Sequence, residues 1–379
     1  MKIGFFTDSF RPYTSGVVRS IETYSRELTA LGHTVYTFAP NYPLCQPEDK
    51  VFRYFSISSP TNKDFTLAIP FSLYLKQTIQ KTGIEVIHTH SPFLLGRLGA
   101  RHAKRNKIPL VFTYHTLYDQ YVHYIPIVKD LAKKLVRKIT LDYCNLCDLV
   151  IAPTKVVGDY LAEGGVYKPI EILPTGIEIK EFANLDRGWL RRTYGIGENK
   201  KVLLHVGRLG AEKNVDFLLQ ATAGIIKKVP EACLVLVGTG PKSADLKQLA
   251  SDLGISNHVL FVGFLPREDV IKAYGGADLF VFASLTETQG IVLGEAKAAG
   301  LPVVAVKANG ASEMVKTGND GILTELNLEE FQNTVVTLLN NHGLRRNFSD
   351  NSLQNLRDIS SQACAEKMAG CYYSLIKKN

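Results

Sequence analysis

A strand-and-helix pattern that runs twice along 379 residues predicts an α/β protein of two doubly wound domains. Three observations carry this. The length exceeds what one hydrophobic core usually supports, so two domains of roughly 150–200 residues each are expected. Short β-branched or aromatic runs alternate with helical stretches, once over residues 1–180 and again over residues 181–360. The strand candidates are nearly continuous in apolar residues, as parallel strands covered on both faces must be.

In chain order, the first set of strands is expected at 2–7, 34–39, 85–89, 109–114, 148–152 and 171–173. A segment rich in charge and glycine, 186–200, follows, and the pattern restarts with strands at 202–206, 232–237, 259–262, 278–283, 302–306 and 321–324. Each set is Rossmann-like. Ligands of such open sheets bind beyond the carboxyl ends of the strands, so a cleft between two facing domains is the expected site. The expected division is 1–180, 181–360 and a last helix near 361–377 that could pack on either domain.

Composition narrows the class. No apolar run approaches the ~18 residues that span a bilayer, and the start Lys2-Ile3-Gly4-Phe5-Phe6 reads as a strand rather than a signal peptide, so a cytoplasmic protein is expected. Six scattered cysteines offer no disulfide framework; Cys144 and Cys147 form a C-x-x-C with no second pair, and two core thiols on a helix suit it better than zinc. The net charge of +8 is uneven: residues 1–170 hold 21 Lys+Arg against 13 Asp+Glu, and residues 171–379 hold 23 of each. The N-terminal half is therefore expected to meet something anionic.

The most informative stretch follows the strand at 278–283. Glu287 stands just before a helix expected to open near Gly290, and Glu295 lies about five residues, or ~7.5 Å, along it. A helix mouth with a glycine is an anion site, because its unpaired amides and the helix dipole both favour phosphate. A carboxylate on either side could accept hydrogen bonds from sugar hydroxyls, giving the spacing of a sugar, a diphosphate and a ribose in line. Surface helices carry such glutamate pairs often, so context decides. Arg208 and Lys213 sit on the loop after the strand at 202–206, two cations that could pair with phosphate oxygens. Near the N-terminus, Gly16 stands in a strand-to-helix loop where backbone could approach a ligand closely.

Together, Arg208 and Lys213, Gly238-Thr239-Gly240, Gly263-Phe264, and Glu287 with seven residues between it and Glu295 resemble the retaining GT-B glycosyltransferases of family 4, over essentially the whole chain. Within that family, Phe112-Thr113-Tyr114-His115-Thr116-Leu117-Tyr118-Asp119-Gln120-Tyr121 and Glu287-Thr288-Gln289-Gly290 resemble the bacterial 1,2-diacylglycerol 3-alpha-glucosyltransferases. The resemblance implies Arg208 and Lys213 on the diphosphate of a nucleotide sugar, Glu287 on its sugar and Glu295 on its ribose. It also implies the amides of Gly290, Ile291 and Val292 on the phosphates, the backbone of Gly263, Phe264 and Leu265 at the base, and Gly16 near the diphosphate. His115 would face the reacting sugar, with Asp8, His90 and Asp119 as further acceptor-side candidates. Two departures are visible: Ser15-Gly16 stands where many relatives have two glycines, and Gln289 where many have phenylalanine. His88 and His90 could equally be core groups.

No two aspartates are separated by a single residue, so the D-x-D metal site of the other large transferase fold is absent from the sequence. Cations and helix amides are expected to neutralise the leaving diphosphate without an obligatory metal. The expected reaction is transfer of a hexose, glucose from UDP-glucose, to a lipid acceptor such as 1,2-diacylglycerol with retention of configuration.

The basic half bears on the acceptor. Val128, Leu131, Ala132, Leu135 and Ile139 share one helix face, and Lys129, Lys133, Lys134, Arg137 and Lys138 spread over the other, as in an interfacial helix on anionic lipid at the inner face of the cell membrane. A helix packed on its own domain with a solvated basic face would carry the same residues. Arg97, Arg101, Lys104, Arg105 and Lys107 form a second cluster, and residues 65–75 alternate apolar side chains that suit either membrane or core. Another acceptor or donor, such as phosphatidylinositol with GDP-mannose or a soluble glycan precursor, remains open, since acceptor pockets are grafted on folds. A nucleotide-sugar epimerase would leave the basic half unused. A nicotinamide oxidoreductase would need a third glycine where Ser243 stands. No nucleic-acid-binding motif accompanies the basic face.

Overall fold

The computed structural model describes residues 1–43, 45–59, 65–120 and 129–377, without the side chains of residues 73–76 and 129–130. The chain forms two compact units, Met1–Gly176 with Ser361–Asn379, and Ile177–Ser360. Each is a parallel sheet covered by helices, so the α/β class and the doubly wound, Rossmann-like reading hold.

The first unit carries nine strands: β1 Lys2–Phe6, β2 Thr34–Pro40, β3 Val51–Tyr54, β4 Ser56–Ser58, β5 Thr66–Ala68, β6 Val86–Thr89, β7 Leu110–Thr113, β8 Leu149–Ala152 and β9 Ile170–Ile172. Seven make one sheet in the order β3-β2-β1-β6-β7-β8-β9, and β4 and β5 pair as a small antiparallel ribbon. The second unit has β10 Lys201–Val206, β11 Ala232–Val237, β12 Val259–Gly263, β13 Leu279–Phe282, β14 Val303–Val306 and β15 Gly321–Thr324, in the order β12-β11-β10-β13-β14-β15. Successive side chains of a strand point to opposite faces. Accordingly Leu203, Leu234, Leu236 and Val281 enter one core, while Val202, Leu204, Val235, Phe280 and Phe282 enter the other.

Strand order reverses beside β1 in the first unit and beside β10 in the second. At such a reversal the loops leave in opposite directions and open a crevice beyond the strand ends. The loops after β1 and β6 hold Asp8 and His90, and those after β10 and β13 hold Arg208, Lys213 and Glu287.

Six helices matter to the site: α1 Gly16–Ala30, α2 Leu94–Asn106, α3 Lys129–Cys144, α4 Arg267–Gly275, α5 Ile291–Ala298 and α6 Ser361–Ile376. The Ser15 side chain accepts the Val18 amide, so α1 opens at Gly16. The last helix, α6, packs on α1 in the first unit: Ser361 donates to Glu27 and the Tyr372 hydroxyl meets His88. The charge-rich segment 186–200 is no bare connector, since it holds the helix Trp189–Tyr194, whose Leu190 is fully buried in the second unit.

Candidate active site

In the second unit the loop after β10 is fixed by its neighbour. The Gly207 amide donates to Val237 O and the Leu209 amide to Thr239 O. A Cβ on Gly238 would stand 2.0 Å from Gly207 O, and one on Gly240 2.4 Å from Leu209 O. The two glycines therefore let two loops lie against each other, which gives Gly238-Thr239-Gly240 a packing reason.

Arg208 is exposed on this loop, and Lys213 ends the short helical turn Ala211–Lys213. Lys213 Nζ donates to Glu287 Oε1 from the loop after β13. Burial alone would raise the Glu287 carboxyl; Lys213, together with Ser284 and His205, holds the group below its ordinary value. The sequence reading gave these residues separate ligands, whereas the structure joins them as a pair whose side chains are only 18% and 16% exposed.

Gly290 is the N-cap of α5, with φ of 79°. Few side chains adopt that backbone, and a Cβ would also press on Leu293 Cδ1 at 2.9 Å. The amides of Ile291 and Val292 lie in the first turn, which has no carbonyl four residues back within the helix. Gln289, just before the mouth, is buried. One and a half turns along, Glu295 is buried and accepts from Arg267 Nη1 at 2.5 Å and from the Tyr274 hydroxyl at 3.0 Å. Arg267 also donates to Glu181 through Nη2 at 2.6 Å and lies over the Phe182 ring. Sequence reasoning missed Arg267, Tyr274 and Glu181; Arg267 and Tyr274 come from α4, and only its opening after Pro266 marked the place. At the end of β12, Gly263 has φ of 85° and accepts the Gly238 amide at 2.8 Å. Phe264 beyond it is 62% exposed, and Leu265 packs half-buried on the core.

In the first unit, Asp8 is committed to the fold. One carboxylate oxygen accepts the Leu95 amide at 2.7 Å, at the start of α2, and the other accepts the Ser91 hydroxyl. Burial nevertheless raises its carboxyl, against the pull of those two donors. This acceptor-side candidate therefore closes a helix end. His90 and His115 meet, Nδ1 to Nε2 at 2.9 Å, and His90 stacks on His88 at 4.3 Å between centroids. His88 is itself held by Tyr372 and Thr113. Burial drives His115 down to about 3 and His90 well below its ordinary value, so both rings are neutral at pH 7. The buried His90 Nε2 has no hydrogen-bond partner. Asp119 is buried and accepts from the Tyr160 hydroxyl at 3.0 Å.

On α3, Lys133, Lys134, Arg137 and Lys138 are exposed, and so are Leu131 and Leu135, at 66% and 56%. Arg137 leans over the Tyr160 ring. Tyr121, Val128 and the Lys129 side chain lie outside the described residues. In residues 65–75 the alternating apolar side chains do not turn inward together: Phe65 and Leu67 are half-buried, Ile69 and Phe71 are 42% and 72% exposed, and the side chains of Leu73 and Leu75 lie outside the described residues. The second basic cluster, Arg97, Arg101, Lys104, Arg105 and Lys107, is exposed on and just after α2. Cys144 and Cys147 are fully buried at the end of α3, and burial pushes both thiols up. Among the described residues, no helix is long and apolar enough to cross a membrane, and no group of three or more His, Cys, Asp or Glu could hold a metal ion.

Known proteins share both halves. Residues 14–181 match the model of "Glycosyltransferase Family 4", and residues 186–355 that of "Glycosyl transferases group 1". An alpha-monoglucosyldiacylglycerol synthase of Acholeplasma laidlawii is 30% identical over 100% of this chain and 98% of its own. The chain is a family 4 glycosyltransferase. A synthase of the same name from Streptococcus pneumoniae is 35% identical over 80% of this chain and 71% of its own. The fold of this glycosyltransferase is GT-B: the crystal structure of Anabaena Alr3699/HepE in complex with UDP-glucose superposes with a TM-score of 0.80 at 20% identity, covering 99% of this chain and 100% of that one. The enzyme is a hexosyltransferase, and Arg208, Lys213, Glu287 and Glu295 all fall within the part matched as group 1.

Proposed function

We propose that this glycosyltransferase moves glucose from UDP-glucose to the free hydroxyl of 1,2-diacylglycerol, with retention, while docked on an anionic membrane face. The observation that carries the reading is α3, where Leu131 and Leu135 stand exposed among Lys133, Lys134, Arg137 and Lys138. A helix lying in a lipid interface buries such leucines and sets its cations among anionic headgroups. The names of the two synthases, which state a glucose on diacylglycerol, agree with it.

In this reading Arg208, Lys213 and the amides of Gly290, Ile291 and Val292 hold the diphosphate. Glu287 accepts hydroxyls of the sugar and Glu295 those of the ribose, and Gly263, Phe264 and Leu265 meet the base. The bond from the anomeric carbon to the β-phosphate oxygen breaks, and the acceptor oxygen bonds to that carbon on the same face. The acceptor's proton passes to the departing phosphate oxygen. Charge grows on that oxygen in the transition state, where fixed cations and amides in a water-poor site stabilise it most. His115 and His90, neutral, bind hydroxyls by hydrogen bonding.

The test is a panel: UDP-glucose, UDP-galactose and GDP-mannose, each with diacylglycerol, phosphatidylinositol or a soluble glycan acceptor, the product being identified by mass and anomeric configuration. An α-glucosyl diacylglycerol is expected. A mannosyl product, a soluble product or an isomerised donor without acceptor would each replace this reading with another.

A further inference from the structure

His205 has no part in the reaction so far. It precedes the last residue of β10, is fully buried, and stacks on Phe280 and Phe282 at 6.5 and 5.9 Å between centroids. Its Nδ1 lies 3.2 Å from Val281 O. A carbonyl only accepts, so Nδ1 carries the hydrogen, and the neutral ring leaves Nε2 a bare lone pair. That nitrogen is buried and has no hydrogen-bond partner, an arrangement native interiors rarely keep without a use.

Its surroundings suggest the use. A Cβ on Gly207 would stand 3.4 Å from Nε2, so the ring edge faces the first residue of the loop that carries Arg208 and Lys213, and glycine there puts no side chain between. The strands on either side, β11 and β13, contribute buried apolar residues. The charges that act on the ring are Lys213, which opposes its protonation, and Glu287, which favours it. Burial is the largest influence, and the ring is held neutral at about 4 while those two charges offset each other.

We propose that His205 is a further donor-binding residue, which takes up one proton from solvent as the nucleotide sugar binds and so sets an imidazolium beneath its diphosphate. This rests on the diphosphate lying on the 207–213 loop. Two negative charges then arrive, Lys213 turns to them, and Glu287 is left with sugar hydroxyls. The ring faces a net negative charge, which favours its charged form. The proton adds to Nε2, the Nδ1 bond to Val281 stays, and no other bond changes. A lone pair that would repel phosphate oxygen becomes a donor toward it.

Isothermal titration of the full chain with UDP-glucose, and in parallel with GDP-mannose, in two buffers of different ionisation heat from pH 6 to 8 reads the proton directly. The diphosphate of either sugar keeps its charge over that range. Uptake should rise toward one proton per site at the acid end, with affinity increasing by up to about tenfold per pH unit lowered. His205→Gln keeps a polar side chain that does not titrate; it should bind with no uptake and a flat pH profile. His205→Phe should do the same, and His205→Gln decides if the phenylalanine variant fails to fold. Binding by the wild type without uptake, or equal uptake by His205→Gln, overturns the proposal. If neither sugar binds, or Lys213→Ala changes neither affinity nor turnover, the diphosphate assignment fails and takes this one with it.

Discussion

Lys213→Ala separates a catalytic cation from a structural one. Lys213 is paired with Glu287, and both side chains are mostly withdrawn from water. Engaging the diphosphate means exchanging that partner for phosphate oxygens, so part of the gain is offset. Removing one preorganised donor from a developing oxyanion costs about 2.7–4 kcal/mol, or roughly 100- to 1000-fold in kcat. Because the lost Glu287 contact subtracts from the gain, the lower end applies, near 100-fold. The substitution also leaves a buried carboxylate unpaired, which favours its protonation. Glu287→Gln should therefore cost less beside Lys213→Ala than alone, with a coupling above about 1 kcal/mol. The assay is steady-state transfer of labelled sugar to the acceptor chosen by the panel, in mixed micelles, for the two single variants and the double. Turnover of Lys213→Ala within about threefold of wild type would falsify the assignment. A change confined to KM would recast Lys213 as uniform binding.

Three further outcomes are expected. Asp320→Ala should cost about 3–5 kcal/mol in urea unfolding, because Lys297 donates to Asp320 at 2.7 Å with both side chains nearly inaccessible, at 4% and 0% exposed; exchanging the pair together for Met and Asn should cost far less. Arg267→Ala should raise the donor KM by roughly tenfold with little change in kcat, since Glu295 loses its guanidinium and keeps Tyr274; an unchanged KM would sever Glu295 from the ribose. Changing Lys133, Lys134, Arg137 and Lys138 together to Gln should abolish pelleting with anionic vesicles, each basic residue near such a surface being worth about 1 kcal/mol, while nucleotide-sugar binding persists. Pelleting that survives would move the docking surface elsewhere.

Much of the scaffold was legible because parallel strands covered on both faces need long apolar runs, and each of the twelve expected strands overlaps an observed one. Val51–Tyr54 escaped notice as a four-residue edge strand carrying Arg53, and Ser56–Ser58 as a short strand with exposed residues. Glu287, Gly290 and Glu295 stood out together because they are close in sequence. Arg267 and Tyr274 were not, since they reach Glu295 from 28 and 21 residues away and only folding brings them near. Asp8 looked like a ligand group because a carboxylate after a strand reads the same whether it meets a substrate or a helix end. His205 was invisible for a different reason: within an apolar strand a histidine looks like a tolerated exception.

The return of α6 to the first unit makes the second unit, in topology, an insertion. The second unit's two ends meet, Ile177 donating its amide to Ile359 O and bridging Ser360. A segment whose ends already touch can be excised and replaced without stretching its host. The second unit is thus an exchangeable cassette with natural seams at 176/177 and 360/361. The host is closed late in chain order: α1 and His88 pack against α6, which follows the whole second unit along the chain.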